Sequence, residues 1–125
     1  MKRHLRRPCL WFAVFALPLA ACVPASPDPL DPALQVERGR HLLERYHCGT
    51  CHSIPGVAAS QGQLAASLVA YGRRSYIAGR VANEPAALAR WIADPASIVP
   101  GTLMPSMGVA PADARDMAAY LGQLR

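Results

Sequence analysis

Cys48-Gly49-Thr50-Cys51-His52 decides how this chain is read. Two thiols three residues apart, with an imidazole directly after them, have the spacing by which a c-type haem is attached. The chemistry accounts for the spacing. On one turn of helix, Cys48 and Cys51 can each add to a vinyl group of the same porphyrin while His52 turns its ring toward the iron from one side. The expectation is one covalent haem c.

Two other chemistries use such residues. Structural zinc takes four ligands and normally brings a second closely spaced pair, and apart from His47, which adjoins this cluster, only His4 and His41 remain among the histidines. A thioredoxin-like dithiol sits in a βαβ unit. No run of β-branched residues here supplies one.

Toward the N terminus, Lys2, Arg3, Arg6 and Arg7 precede an apolar run from Cys9 to Ala21. The run is too short to span a bilayer and reads as a secretory signal. It ends in Leu19-Ala20-Ala21-Cys22, which resembles a bacterial lipobox. That resemblance implies that residues 1–21 are a lipoprotein signal peptide and that Cys22 becomes the lipid-modified first residue of a periplasmic, membrane-anchored protein. The alternatives are an uncleaved anchor, against which Pro18 and the short run count because they weaken a spanning helix, and a cut at an ordinary small-residue site. Residues 22–31 carry proline at every second or third place and read as a tether. At roughly 3 Å per residue, an extended proline-rich segment would hold the domain within a few tens of Å of the membrane.

The 125-residue chain has a formal charge of +5, but four of its 13 basic residues lie in the signal. After cleavage nine arginines face eight acids, a balance of about +1, and no basic stripe remains to bind nucleic acid. The cysteines are also accounted for. Cys9 leaves with the signal, Cys22 takes lipid, and Cys48 and Cys51 take haem. None is left for a disulfide, although the compartment would permit one.

Residues 32–125 form one domain, small enough that burial alone gives a marginal core; a bound haem would supply an apolar body for that core. Asp31-Pro32 predicts a helix start, an acidic cap followed by proline at the first helical position, with the helix running to about Arg45. Gly39 inside it costs up to ~1 kcal/mol against alanine and suggests close approach by another element. Ser53 to Gln63 reads as loop and Leu64 to Ala70 as a short helix. Arg73, Arg74 and Tyr76 put donors on a loop, where a guanidinium could take a haem carboxylate; an exposed arginine pair is the alternative.

Asn83-Glu84-Pro85 opens a further helix and Asp94-Pro95 closes it, with Leu88, Trp91 and Ile92 on one face. In so small a domain Trp91 can be core and cofactor contact at once. Pro100 to Gly108 is loop by its breakers and holds Met104 and Met107. A thioether is a soft, neutral donor suited to ferrous iron, and His/Met ligation raises the reduction potential. Flanking prolines would keep the Met104 sulfur aimed. A last helix runs from about Pro111 to Leu121, with Met117 on its apolar stripe as core.

From about Asp31 to Arg125 the chain resembles a class I monohaem cytochrome c. The resemblance rests on the helix leading into Cys48-Gly49-Thr50-Cys51-His52, the Gly101-Thr102-Leu103-Met104-Pro105 loop and the final Ala118-Ala119-Tyr120-Leu121 helix. Asn83 to Pro105 is also similar to the cytochrome domain fused to subunit II of some haem-copper oxidases. The resemblance implies an all-α fold of about four to five short helices around one covalent haem. In it the N- and C-terminal helices cross, Gly39 and Leu43 against Tyr120 and Leu121. It further implies Met104 as the sixth ligand with Met107 as its substitute, and Arg74 on a haem propionate. Two departures stand out. The Gly-Pro pair that often precedes the position of Leu68, and whose proline carbonyl steadies the ligand histidine, is Ala65-Ala66 here, and Ala110 stands where a capping serine or threonine is usual.

The implied function is outer-sphere electron transfer without catalysis. A quinol-cytochrome c reductase or periplasmic dehydrogenase would be the donor and a terminal oxidase the acceptor. The alternatives are a dedicated cytochrome subunit of a periplasmic dehydrogenase or oxidase, and a haem sensor or peroxidase.

Overall fold

Asp31 and Pro32 start the first helix as their chemistry requires: the Asp31 carboxylate accepts from the Ala33 amide at 2.8 Å, and Pro32 takes the first helical position. The computed structural model describes residues 31–125. The expected signal peptide, the lipid site at Cys22 and the tether up to Leu30 lie outside the described residues. Helix α1 spans Pro32–Arg45, α2 Pro85–Ala93 and α3 Pro111–Gln123. Single 3-10 turns at Cys48–Thr50, Tyr71–Arg73 and Pro95–Ser97 punctuate the connections. A two-stranded antiparallel hairpin, β1 Tyr76–Ile77 and β2 Val81–Ala82, pairs Tyr76 with Ala82. The architecture is all-α with little strand. No helix among the described residues is long and apolar enough to cross a membrane.

Two local expectations change. The helix expected over Leu64 to Ala70 does not form, because its amides bond across the loop instead of along a helix: Ala65 N donates to Cys51 O at 3.0 Å and Leu68 N to Ser53 O at 2.8 Å. The hairpin at 76–82 is too short to leave an alternating pattern in the sequence.

Helices α1 and α3 cross, and Gly39 sets how closely. A β-carbon there would lie 2.0 Å from the carbonyl oxygen of Asp116, so only glycine permits the approach. The contact falls a turn before Tyr120 and Leu121 on α3. Leu43 on α1, Met117 on α3 and Ile77 on β1 are fully buried. Around the rim of the crossing, Arg38 meets Asp116 at 2.9 Å, and the Tyr46 hydroxyl donates to Asp113 at 2.9 Å. Helix α3 itself begins on Ala110 with no side-chain cap. At its other end, the Tyr120 hydroxyl donates to Pro55 O at 2.6 Å and fastens the helix to the loop after the cysteine motif.

Burial raises the Tyr120 hydroxyl above its ordinary value, with Arg40 pulling it partly back, and burial likewise raises Tyr71. The folded state therefore holds these phenol protons more tightly than the unfolded chain does. Their contribution to stability is complete below the unfolded value of about 10 and is lost as pH rises through the folded one.

Two expectations follow. Gly39→Ala should destabilise the fold by about 3 kcal/mol in a urea melt, the overpacking cost outweighing the helix-propensity gain. Tyr120→Phe should cost ~1 kcal/mol near neutrality. In melts compared at about pH 7 and about pH 10.5, its alkaline loss of stability should be shallower than that of the unsubstituted protein, with Tyr71 contributing to what remains.

Candidate haem site

The end of α1 delivers the cysteine motif through one sharp reversal. His47 takes a left-handed backbone (φ 55°), unusual for a side chain other than glycine, and turns the chain out of α1 into the 3-10 turn at Cys48–Thr50. Cys51 N and His52 N then both bond back to Cys48 O, at 3.3 and 3.0 Å, so the two thiols and the imidazole share one compact turn. Both cysteines are free, and burial pushes the Cys48 thiol up, with Cys51 adding to the shift. The loop that follows folds back over the turn. Gly62 N donates to Gly49 O at 3.0 Å, and a β-carbon on Gly62 would lie 2.4 Å from Thr50 O.

His52 is oriented by the residue that replaces the usual proline. Its Nδ1 lies 2.7 Å from Ala66 O. A carbonyl only accepts, so Nδ1 carries the proton and Nε2 keeps a lone pair for a metal. The loop presenting that carbonyl is held on both sides. Cys51 O and Ser53 O take its amides, and the Arg74 guanidinium donates to Ser67 O. Arg74 also lies over the Tyr71 ring, 5.1 Å from its centroid, while Asn83 Nδ2 donates to Arg74 O at 3.0 Å.

His52, Cys48 and Met104 line one cavity. Its walls are apolar: Leu43 from α1, Leu88, Trp91 and Ile92 from α2, Met117 and Leu121 from α3, and Leu68 and Tyr71 from the intervening loop. Toward solvent it continues into a cleft where Thr50, Cys51, Pro105 and Met107 join Cys48, His52 and Met104. Met104 borders both spaces, its amide donating to Thr102 Oγ1 at 3.2 Å; Met107 borders only the outer one and is 45% exposed. Larger grooves, about 560 and 460 Å³, run between the helices elsewhere, but no thiol, imidazole or thioether lines them.

The donor set fits a covalent haem c. Two unpaired thiols, an imidazole with Nε2 free and a neutral thioether border a single apolar space. It does not fit zinc, since no group of three or more His, Cys, Asp or Glu among the described residues could hold a metal ion. His41 is on α1, 2.9 Å from Glu37.

The family model for cytochrome c matches residues 36–125. This chain belongs to the cytochrome c family. Over 89 residues, 70% of its length, it is 32% identical to a cytochrome c oxidase subunit 2 from Alkalihalophilus pseudofirmus. The match spans only 25% of that protein, so this cytochrome c corresponds to one part of it. The family's covalently attached haem c accounts for the Cys48 and Cys51 pair, and the activity that comes with it is electron transfer.

Of the residues singled out from the sequence, Cys48, Cys51, His52, Met104 and Trp91 come together, Met107 stands at the mouth, and Arg74 is one residue removed behind Tyr71 and Ser67. Arg73 and Tyr76 do not border the cavity, and Tyr76 is 62% exposed. Sequence reasoning missed Tyr71 and Leu68 as walls, since they belong to a loop with no periodic pattern to mark an inner face. It read Met117 as core, which holds, but the same side chain also faces the cavity.

Removing the Arg74 guanidinium should loosen the support of His52 before it disturbs the helices. Arg74→Ala should cost about 1 kcal/mol of stability. In hydrogen exchange, the amides of Ala65 and Leu68 should lose protection while those of α1 and α3 keep theirs.

Proposed function

We propose that this cytochrome c is a membrane-tethered monohaem carrier that passes single electrons between respiratory complexes by outer-sphere transfer, without being an enzyme itself. The observation that carries the reading is the convergence of His52 and Met104 on one apolar cavity beside Cys48, with Cys51 in the adjoining cleft that the three also line. When bound, haem c supplies a one-electron ferric/ferrous couple.

The side chains divide the remaining work. Cys48 and Cys51 would hold the porphyrin by thioether links, and His52 would present Nε2 to the iron while Nδ1–H stays on Ala66 O, which fixes the ring and raises its basicity. Met104 would supply the sixth donor and raise the potential relative to a nitrogen ligand. Its place on the inner cavity supports it over Met107. Trp91, Leu68 and Leu88 would exclude water from the porphyrin face. Arg74 keeps guanidinium N–H groups beyond the one on Ser67 O and could give them to a propionate.

The basic, apolar and small-residue order of residues 1–21, with Cys22 and the proline-rich tether after it, supports a periplasmic protein anchored by lipid. A quinol-cytochrome c reductase or periplasmic dehydrogenase would supply the electron and a terminal oxidase would take it. The likeness to an oxidase subunit 2 supports the acceptor, and it also favours a second reading, a dedicated cytochrome subunit of an oxidase or dehydrogenase. Co-purification of a permanent partner at high salt would select the second.

Met104→Ala should abolish the low-spin His/Met spectrum and lower the potential by at least about 100 mV, a modest share of the ~0.8 V range that axial ligation spans. Met107→Ala should leave both nearly unchanged, and the reverse outcome would move the ligand to Met107. Carbon monoxide should not bind the reduced protein at neutral pH. Ready binding would replace the carrier with a sensor or peroxidase. A haem stain of the denatured mature protein checks the covalent links.

A further inference from the structure

The two loops that carry the donors share a property unrelated to ligation. From Tyr46 through Gly72 the chain has no Asp, Glu, Lys or Arg, and from Pro95 through Ala112 it again has none. The first stretch holds Cys48, Cys51 and His52, the second Met104 and Met107. The fold brings them to one cleft whose mouth is formed by His47, Thr50, Cys51, Pro105 and Met107, so that its lining holds an imidazole but no carboxylate, ammonium or guanidinium group. The charged side chains between residues 31 and 125 lie on the other segments, and several are matched there, as in the Arg38–Asp116, Arg40–Glu37 and Arg45–Asp113 pairs. Beside Met104, Leu103 is 99% exposed, and Met107 is 45% exposed. A leucine with almost no contact within its own chain, on a proline-flanked loop at the donor site, has its apolar surface available to another molecule.

We propose that this mouth, free of Asp, Glu, Lys and Arg, is an apolar docking face that is uncharged while His47 is neutral. Its occupant is a redox protein whose own electron-exchange site is ringed by apolar, uncharged side chains, and the contact forms without charge steering. The proposal rests on the electron-carrier reading and specifies which kind of partner fits it. Complementary charge at a docking face raises association rates at low salt and makes them fall steeply as salt rises. A face without charge gains nothing from that effect. It would select partners by burying Leu103, Pro105 and Met107, and would disfavour any partner that must strip water from a charge to reach them.

A second copy of the protein presents the same face, so electron self-exchange between oxidised and reduced holoprotein, read from NMR line broadening, serves as the probe. Between about 10 mM and about 150 mM salt, where the Debye length falls from ~30 to ~8 Å, the wild-type rate should change by less than about twofold. At the lower salt, Leu103→Glu and Leu103→Lys should each slow exchange by about fivefold or more, since a charge of either sign is repelled by its copy and must be desolvated, while Leu103→Gln stays within about twofold. Arg115→Glu, on α3 and away from the cleft, should also stay within about twofold although it changes the net charge more.

A wild-type rate that shifts more than about fivefold with salt would overturn the proposal, as would a slowing by Arg115→Glu that matches Leu103→Glu. If phosphatidylcholine vesicles bind the wild type and release Leu103→Glu, the face belongs to lipid and the protein partner is wrong. The absorbance spectrum and potential of each variant report on the carrier reading separately. Should the wild type lack a reversible couple, that reading fails, whereas an intact couple with salt-dependent exchange removes only the docking face.

Discussion

The backbone contact between α1 and α3 at Gly39 is the constraint from which the rest of the molecule is set. With no β-carbon on α1 at that point, the carbonyl of Asp116 can sit against its axis. The depth of this approach fixes where α1 ends relative to α3. It therefore fixes where His47 reverses the chain and where the thiols and imidazole emerge. Ion pairs at the rim, such as Arg38–Asp116, are partly exposed and add little in comparison. Leu43 and Met117 serve both the core and the cavity wall, so in this small domain packing and cofactor binding draw on the same side chains.

On the imidazole side, the structure replaces a rigid residue with a set of hydrogen bonds. Ala66 has none of proline's fixed backbone, yet its carbonyl is as firmly presented as His52 needs. Cys51 and Ser53 take the amides of Ala65 and Leu68, and Arg74 takes the carbonyl of Ser67. The departure from the family pattern at Ala65-Ala66 is thus offset locally, by side chains and backbone that a motif comparison does not weigh.

Much of this was legible in the residues. The start of α1, both ends of α2 and the start of α3 were each marked by a proline or an acid, because those residues act on their own backbone. The cysteine motif fixed the cofactor because its spacing carries the chemistry. What could not be read was whatever depends on contacts between distant segments. The 64–70 stretch carries apolar residues like a short helix, but its amides answer to Cys51 and Ser53. Tyr71 and Leu68 become cavity walls only once that loop is folded. The resemblance put Gly39 and Leu43 against Tyr120 and Leu121, whereas the nearest backbone to Gly39 is that of Asp116, one turn earlier, because a family pattern gives the crossing but not its depth along α3.

The segments that carry His52 and Met104 are therefore not equally restrained. The loop facing His52 is tied at Ala65, Ala66, Ser67 and Leu68, whereas the Met104 segment is held by local bonds at Thr102, of 3.1 and 3.2 Å, and runs into α3 at Ala110, whose first amides receive no side-chain cap. Local opening begins where restraint is least. The methionine segment can thus come away and return while the histidine stays seated, so partial unfolding would expose one face of the site and spare the other.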